Sequence, residues 1–216
     1  MDVLVVGAHG QIGQEVTRLL AEHDDHEAYG MVRKSEYEDD IEALGGTAVR
    51  GDVTDPDSLD DAFADRDAVV FTAGSAGEDV WGIDRDGANN CVDTAEAHSV
   101  DRFVMLSSMG AANPETGPDE LREYLEAKAE ADEYLRESGL TWTILRPGPL
   151  TDDPGTGRIR TGSSLASADE AEETIPREDV ATALVTVLPM TNTHGQTIEA
   201  LTGETPIESA LRAPLT

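Results

Sequence analysis

Tyr124 and Lys128 lie four residues apart in the stretch YLEAK, a spacing that sets a phenol and an ammonium on one face of a helix. A phenol normally ionises near pH ~10, so it exchanges protons near neutrality only beside a cation. The pair is therefore a candidate acid/base. Its lysine is conspicuous, because the chain has only two, Lys34 and Lys128, against 45 Asp plus Glu.

A second constellation opens the chain. VLVVGAHGQIGQEVTRLL places Gly7, Gly10 and Gly13 between an apolar run and an amphipathic segment. A strand, a glycine turn and a helix in this order bring free backbone N–H groups to a pyrophosphate. His9 lines the turn, and Gln11 and Ile12 open the helix. Where NAD sites carry a ribose-binding carboxylate, MVRKSE offers Arg33 and Lys34, so a 2′-phosphate is expected and NADP is favoured over NAD. Further on, RGDVTD puts Asp52 and Val53 where they could flank an adenine, and FTAGSAG puts small residues, Ala73, Gly74 and Ser75, near a cofactor ribose.

The elements that must hold these residues can be read from periodicity. Strands are expected at 3–6, 27–32, 47–50, 68–72, 102–107 and 141–145, nearly continuous in apolar residues as parallel strands buried on both faces are. Helices are expected at 11–22, 36–44, 56–64, 84–98 and 118–137, followed by a last helix at 177–188 and a strand at 196–201. This alternation specifies a doubly wound parallel α/β sheet, a three-layer Rossmann fold in one domain, 1–216, whose ligands sit at the carboxyl ends of the strands. The segment 146–216 is expected to form a small cap on the substrate side.

GAHGQIG, VRK, GDVTD, FTAG, FVMLSS, YLEAK, LRPGPLTDDPGTG and IPREDVA together resemble the short-chain dehydrogenase/reductase superfamily, in its compact atypical NAD(P)H-binding branch related to epimerases and dehydratases. The resemblance covers nearly the whole chain. It implies that Tyr124 is the acid/base, that Lys128 binds the nicotinamide ribose and lowers the tyrosine pKa, and that a serine bonds the substrate oxygen, Ser108 by alignment with Ser107 as second choice. Pro147 and Gly148 would bring backbone to the nicotinamide, with Arg146 either fixing that loop or binding substrate. Asp179 is expected as an anchor or cap with Arg177 as its partner. The activity implied is hydride transfer to or from a small carbonyl or alcohol; the alternatives are sugar epimerisation or dehydration, and a non-catalytic NADPH sensor.

Composition excludes other classes. A net charge of −30, spread along the chain, disfavours nucleic acid, whose phosphates need clustered cations. No run approaches the roughly 18 apolar residues of a membrane span, and no basic leader follows Met1, so a cytoplasmic protein is expected. The single Cys91 offers neither a disulfide nor a thiolate site, and HDDH at 23–26 lies at the wrong end of the sheet for metal chemistry, so no metal is expected. A carboxylate-rich, lysine-poor surface resembles that of cytoplasmic proteins from salt-loving archaea, where molar salt screens self-repulsion. Circular dichroism during dialysis from molar potassium chloride into dilute buffer should show the fold being lost; a spectrum indifferent to salt would contradict the adaptation.

Overall fold

The structure, a computed structural model, describes residues 1–165 and 174–215. The first strand, β1 (Asp2–Val6), sets the pattern for the sheet. Strand side chains alternate faces, so Val3 and Val5 enter one apolar cluster while Leu4 and Val6 enter another on the opposite side. Because both faces of β1 are apolar, both must be covered, and helices do this.

Chain order continues through α1 (Gln11–Ala21), β2 (Glu27–Val32), α2 (Glu38–Ala43), β3 (Thr47–Arg50), α3 (Asp60–Phe63) and β4 (Ala68–Phe71). It then passes through α4 (Gly87–Ala97), β5 (Arg102–Leu106), α5 (Arg122–Glu137) and β6 (Thr141–Pro147). The last part comprises β7 (Leu150–Thr151), β8 (Arg158–Gly162), β9 (Ile175–Pro176), α6 (Arg177–Thr186), β10 (Gln196–Thr202), β11 (Thr205–Pro206) and α7 (Ile207–Arg212). Nine strands form one sheet in the order β11-β8-β10-β6-β5-β4-β1-β2-β3, with a small β7-β9 pair beside it. Its centre is parallel, and the strand order reverses between β1 and β4. That reversal opens a crevice above the carboxyl ends of these two strands, where loops diverge to opposite faces.

Helix α1 shows why the layers form. Ile12, Val16 and Leu20 recur every four residues and bury one stripe against Val3, Val5 and α6 residues such as Val180 and Leu184. On the other face, Phe63, Cys91 and Val92, Ala131 and Leu135 cover Leu4, Phe71, Phe103 and Met105. Burial pushes the Cys91 thiol up, so it packs as a small hydrophobe.

The expected strands lie within two residues of those observed; the helices differ more. The segment 84–98 begins as a π-helical turn, Val80–Asp86, before α4 starts at Gly87. The helix expected from 118 begins only after Pro118, whose extended backbone holds the chain out of the helix, and a 3-10 turn, Asp119–Leu121, precedes α5. The carboxyl-terminal segment expected as a cap also builds the sheet: β10 joins β6 in parallel, while β8 and β11 add antiparallel strands. Within that segment, 166–173 and 216 lie outside the described residues.

At the amino-terminal end of β5, Arg102 is buried without a carboxylate partner among the described residues. Its guanidinium donates to the carbonyls of Leu188, Val187 and Thr141 and to the hydroxyls of Thr143 and Thr193. The carbonyls near the end of α6 carry the negative end of its dipole, which favours a cation there. Burial still lowers the Arg102 pKa to about 10.

Candidate active site

Gly7, at φ +84°, turns the chain at the end of β1, and a Cβ there would lie 2.6 Å from the backbone N of Ala73. A Cβ on Gly13 would lie 2.2 Å from the Gly7 carbonyl oxygen, so α1 can approach the turn only without one. Gly10 forms the N-cap of α1 without a side-chain cap. The first N–H groups of the helix are thus left to an external acceptor, which fits a pyrophosphate. The glycine turn is consequently a built cradle.

Two cavities flank it. The smaller, about 230 Å³, lies on the β2 side and is lined by Gly7, His9, Gly10, Arg33, Tyr37, Val53, Ala73 and Gly74 among others. His9 stacks on Tyr37 with ring centroids 3.7 Å apart, and its Nε2 lies 3.3 Å from an Asp40 carboxylate oxygen. Arg33 lines this cavity, whereas Lys34 is exposed beside it, its Nζ 5.7 Å from the Tyr37 ring centroid and 3.5 Å from Glu36 Oε1. Asp52, expected at the adenine, accepts from the N–H and hydroxyl of Thr54 through Oδ1 and lines a neighbouring cavity with Arg33. Val53 lines the smaller cavity.

The larger cavity, about 550 Å³, extends from Gly10, Gln11 and Ile12 across Ala73 and Gly74 to Ser108, Tyr124, Lys128, Pro147 and Gly148. The glycine turn and start of α1, the loop after β4, the end of β5, α5 and the end of β6 therefore converge there, although they are far apart in sequence. Tyr124 is half-buried, whereas Lys128 is buried, its Nζ 5.9 Å from the Tyr124 ring centroid.

The ammonium of Lys128 has an unexpected partner, Asp84, at 3.3 Å. Asp84 is 1% exposed, and its other oxygen accepts from the N–H and hydroxyl of Ser75 at 3.0 and 2.6 Å. Ser75, one of the small residues expected near the cofactor ribose, holds Asp84 through its N–H and hydroxyl. The π-helical turn makes this geometry, since wider winding re-aims side chains within a helical segment. The turn is also tied to α5 by Trp81 Nε1, which donates to Glu123 at 2.8 Å, and by Arg85, 3.2 Å from Glu130. Sequence reasoning placed Asp84 at the start of an ordinary helix; the available signal was a carboxylate in the apolar stretch VWGID, ahead of a lysine that would need one.

The two serines after β5 differ in engagement. Ser107 is buried and donates to Asp132 Oδ2 at 2.9 Å, while Ser108 is half-buried and donates to the Met109 carbonyl. Asp132 also receives Arg146 at 2.7 Å, and both are buried. Arg146 therefore fixes the end of β6, where Pro147 and Gly148 meet the cavity. Burial pushes the Asp132 carboxyl up, and Arg146, Ser107 and Arg136 pull it back. Asp179 anchors a loop by accepting from the N–H groups of Thr156 and Gly157. Arg177 is not its partner; it pairs with Asp152 at 2.7 Å, because the loop amides already occupy Asp179. Among the described residues, no group of three or more His, Cys, Asp or Glu is placed to hold a metal, and no helix is long and apolar enough to cross a membrane.

A phosphate cradle at the switch point of a Rossmann sheet, beside a cleft with a Tyr/Lys face, defines an NAD(P)H-binding protein of the atypical short-chain dehydrogenase/reductase type. The chain belongs to the NAD(P)H-binding family whose model matches residues 7–191. It is 37% identical over 217 residues to the uncharacterized sugar epimerase YhfK of Bacillus subtilis, covering 98% of this chain and 99% of that one. A solved Bacillus halodurans structure, provisionally described as an NAD-dependent epimerase/dehydratase, matches with TM-score 0.93 and 35% identity over 99% of this chain and 100% of its own. The oxidoreductase ylbE of Lactococcus lactis matches with TM-score 0.86 and 28% identity over 98% of this chain and 95% of its own.

Replacing Arg146 by alanine should leave Asp132 buried without its main cation and cost about 3–5 kcal/mol at pH 7. The freed carboxyl would then hold its proton more tightly in the folded state than in the unfolded one. The deficit should therefore shrink as pH falls toward the unfolded carboxylate pKa. Urea unfolding at pH 7 and pH 5 in molar salt measures both effects.

Proposed function

We propose that this protein is an NADP(H)-dependent oxidoreductase acting on a small carbonyl or alcohol, with Tyr124 as acid/base. The observation that carries the reading is the convergence of Tyr124, Lys128 and Ser108 on one cavity with the backbone of the glycine turn. A bound nicotinamide would supply or accept the hydride. Gly7, Gly10 and the start of α1 would hold the pyrophosphate, and Pro147 and Gly148 would bound the nicotinamide side.

In the reducing direction Tyr124 gives its proton to the carbonyl oxygen, which also accepts a hydrogen bond from Ser108. Ser107 is buried against Asp132, whereas the half-buried Ser108 would take this role by turning its hydroxyl from the Met109 carbonyl to the substrate oxygen. Lys128 has three N–H donors; Asp84 and the Leu106 carbonyl, at 3.3 and 3.4 Å, engage two of them. The third is left for the ribose or for the tyrosine oxygen. Asp84 neutralises part of the lysine charge.

For cofactor choice, Arg33 lines the adenosine side and supports a 2′-phosphate, while Lys34 contributes at most from the rim. Sugar epimerisation, suggested by the Bacillus relatives' descriptions, is the second reading and uses the same tyrosine.

Tyr124→Phe should lower carbonyl reduction at least about 100-fold and leave NADPH affinity unchanged; turnover equal to that of the unaltered protein would remove Tyr124 from the mechanism. Arg33→Ala should weaken NADPH binding about tenfold or more while NADH binding is spared. Equal cofactor preference before and after that change, by fluorescence titration, would refute the 2′-phosphate site.

A further inference from the structure

We infer that the substrate has an apolar body and a neutral or positive charge, and that Glu120 and Glu123 at the cavity mouth make it so. This rests on the proposed function only in taking the larger cavity as the substrate site. The cations around that cavity are already matched. Lys128 faces Asp84 at 3.3 Å, Arg177 faces Asp152 at 2.7 Å, Arg122 faces Asp119 at 2.8 Å, and Arg85 lies between Asp86 and Glu130. The carboxylates at the mouth are not matched in that way. Glu123 accepts from the neutral indole of Trp81, which orients it without cancelling its charge, and Glu120 is exposed beside it on the same wall.

A sugar nucleotide would bring a diphosphate of two charges into this wall. The backbone N–H cradle that could receive an anion, at the start of α1, is the one assigned to the cofactor pyrophosphate. A second diphosphate would have to compete with the paired carboxylates for a cation, and at Lys128, the buried pair among them, removing one partner is costly. An apolar body, by contrast, finds Ile12, Val80, Leu106, Leu121 and Leu150. Leu121 is 48% exposed, one of few large apolar side chains uncovered on this acidic protein, and it stands at the mouth. A cation near Glu123 would gain most where water is thin, close to Trp81, whose ring already carries Arg85 at 4.7 Å.

The test uses three aldehydes of one shape: 4-trimethylammonio-, 4-nitro- and 4-carboxybenzaldehyde, with UDP-glucose as the diphosphate arm. Binding to the NADPH complex is read by nucleotide fluorescence, at the lowest potassium chloride concentration that preserves the circular-dichroism spectrum, because salt screens the effect. The cationic aldehyde should bind at least about tenfold more tightly than the carboxylate, with no saturable UDP-glucose binding. The Glu120→Gln, Glu123→Gln double variant should cut that ratio at least about threefold. Asp24→Asn, which removes one charge from the loop between α1 and β2, should leave it unchanged, separating the rim from the protein's overall charge. Equal or tighter binding of the carboxylate or of UDP-glucose would overturn the inference, as would a ratio unmoved by the double variant. Turnover is scored separately: ordered binding without hydride transfer counts against the oxidoreductase reading and not against this one.

Discussion

A charge removed from water must be met inside the protein, and much of this structure follows from how that is done. Lys128 is the case on which the site depends. An ammonium 4% exposed is unfavourable unless a carboxylate or several carbonyls face it. Asp84 meets it, and to do so the chain between β4 and α4 winds as a π-helical turn instead of an α-helical one. Ser75 is drawn in to complete the carboxylate's hydrogen bonds. The wall of the cavity is thus shaped by one buried pair.

The same rule recurs one turn further along α5. Asp132 lies four residues after Lys128 on the same buried face, and it collects Ser107 from the end of β5 and Arg146 from the end of β6. Three elements are locked together where two strands enter the site. Ser107 is thereby tied to Asp132, and the turn at Pro147 and Gly148 is held in place. Arg102, at the opposite end of the central strands, shows the other solution: carbonyls and hydroxyls replace a counter-ion, and its pKa falls to about 10. Such clusters specify geometry more than they add net stability.

How much could be read beforehand depended on whether the signal was local. Continuous apolar runs bounded by turns located the central strands, because a strand buried on both faces has no polar side to obscure it. The glycine turn was equally legible, since a positive φ and two close backbone approaches demand glycine in any context. The helices 84–98 and 118–137 were misplaced at their starts, where tertiary pairing to α5 and the extended backbone of Pro118 override local preference. Asp52 and Ser75 show the same limit. Each sits at a strand end as expected, but the partner its side chain takes, Thr54 for Asp52 and Asp84 for Ser75, is set by the folded loop.

The amino-acid sequence by itself determined the doubly wound sheet, the end of it at which ligands bind, the phosphate cradle and the helix face that carries Tyr124 and Lys128, because these depend on periodicity and on backbone sterics within a few residues. Only the tertiary structure decided that Lys128 pairs with Asp84, that Ser107 belongs to Asp132, that Arg146 is structural and that Arg177 serves Asp152 instead of Asp179. Which carboxylate meets which cation is a competition settled by distance and burial. In a chain with 45 acidic residues, spacing alone leaves too many possible partners.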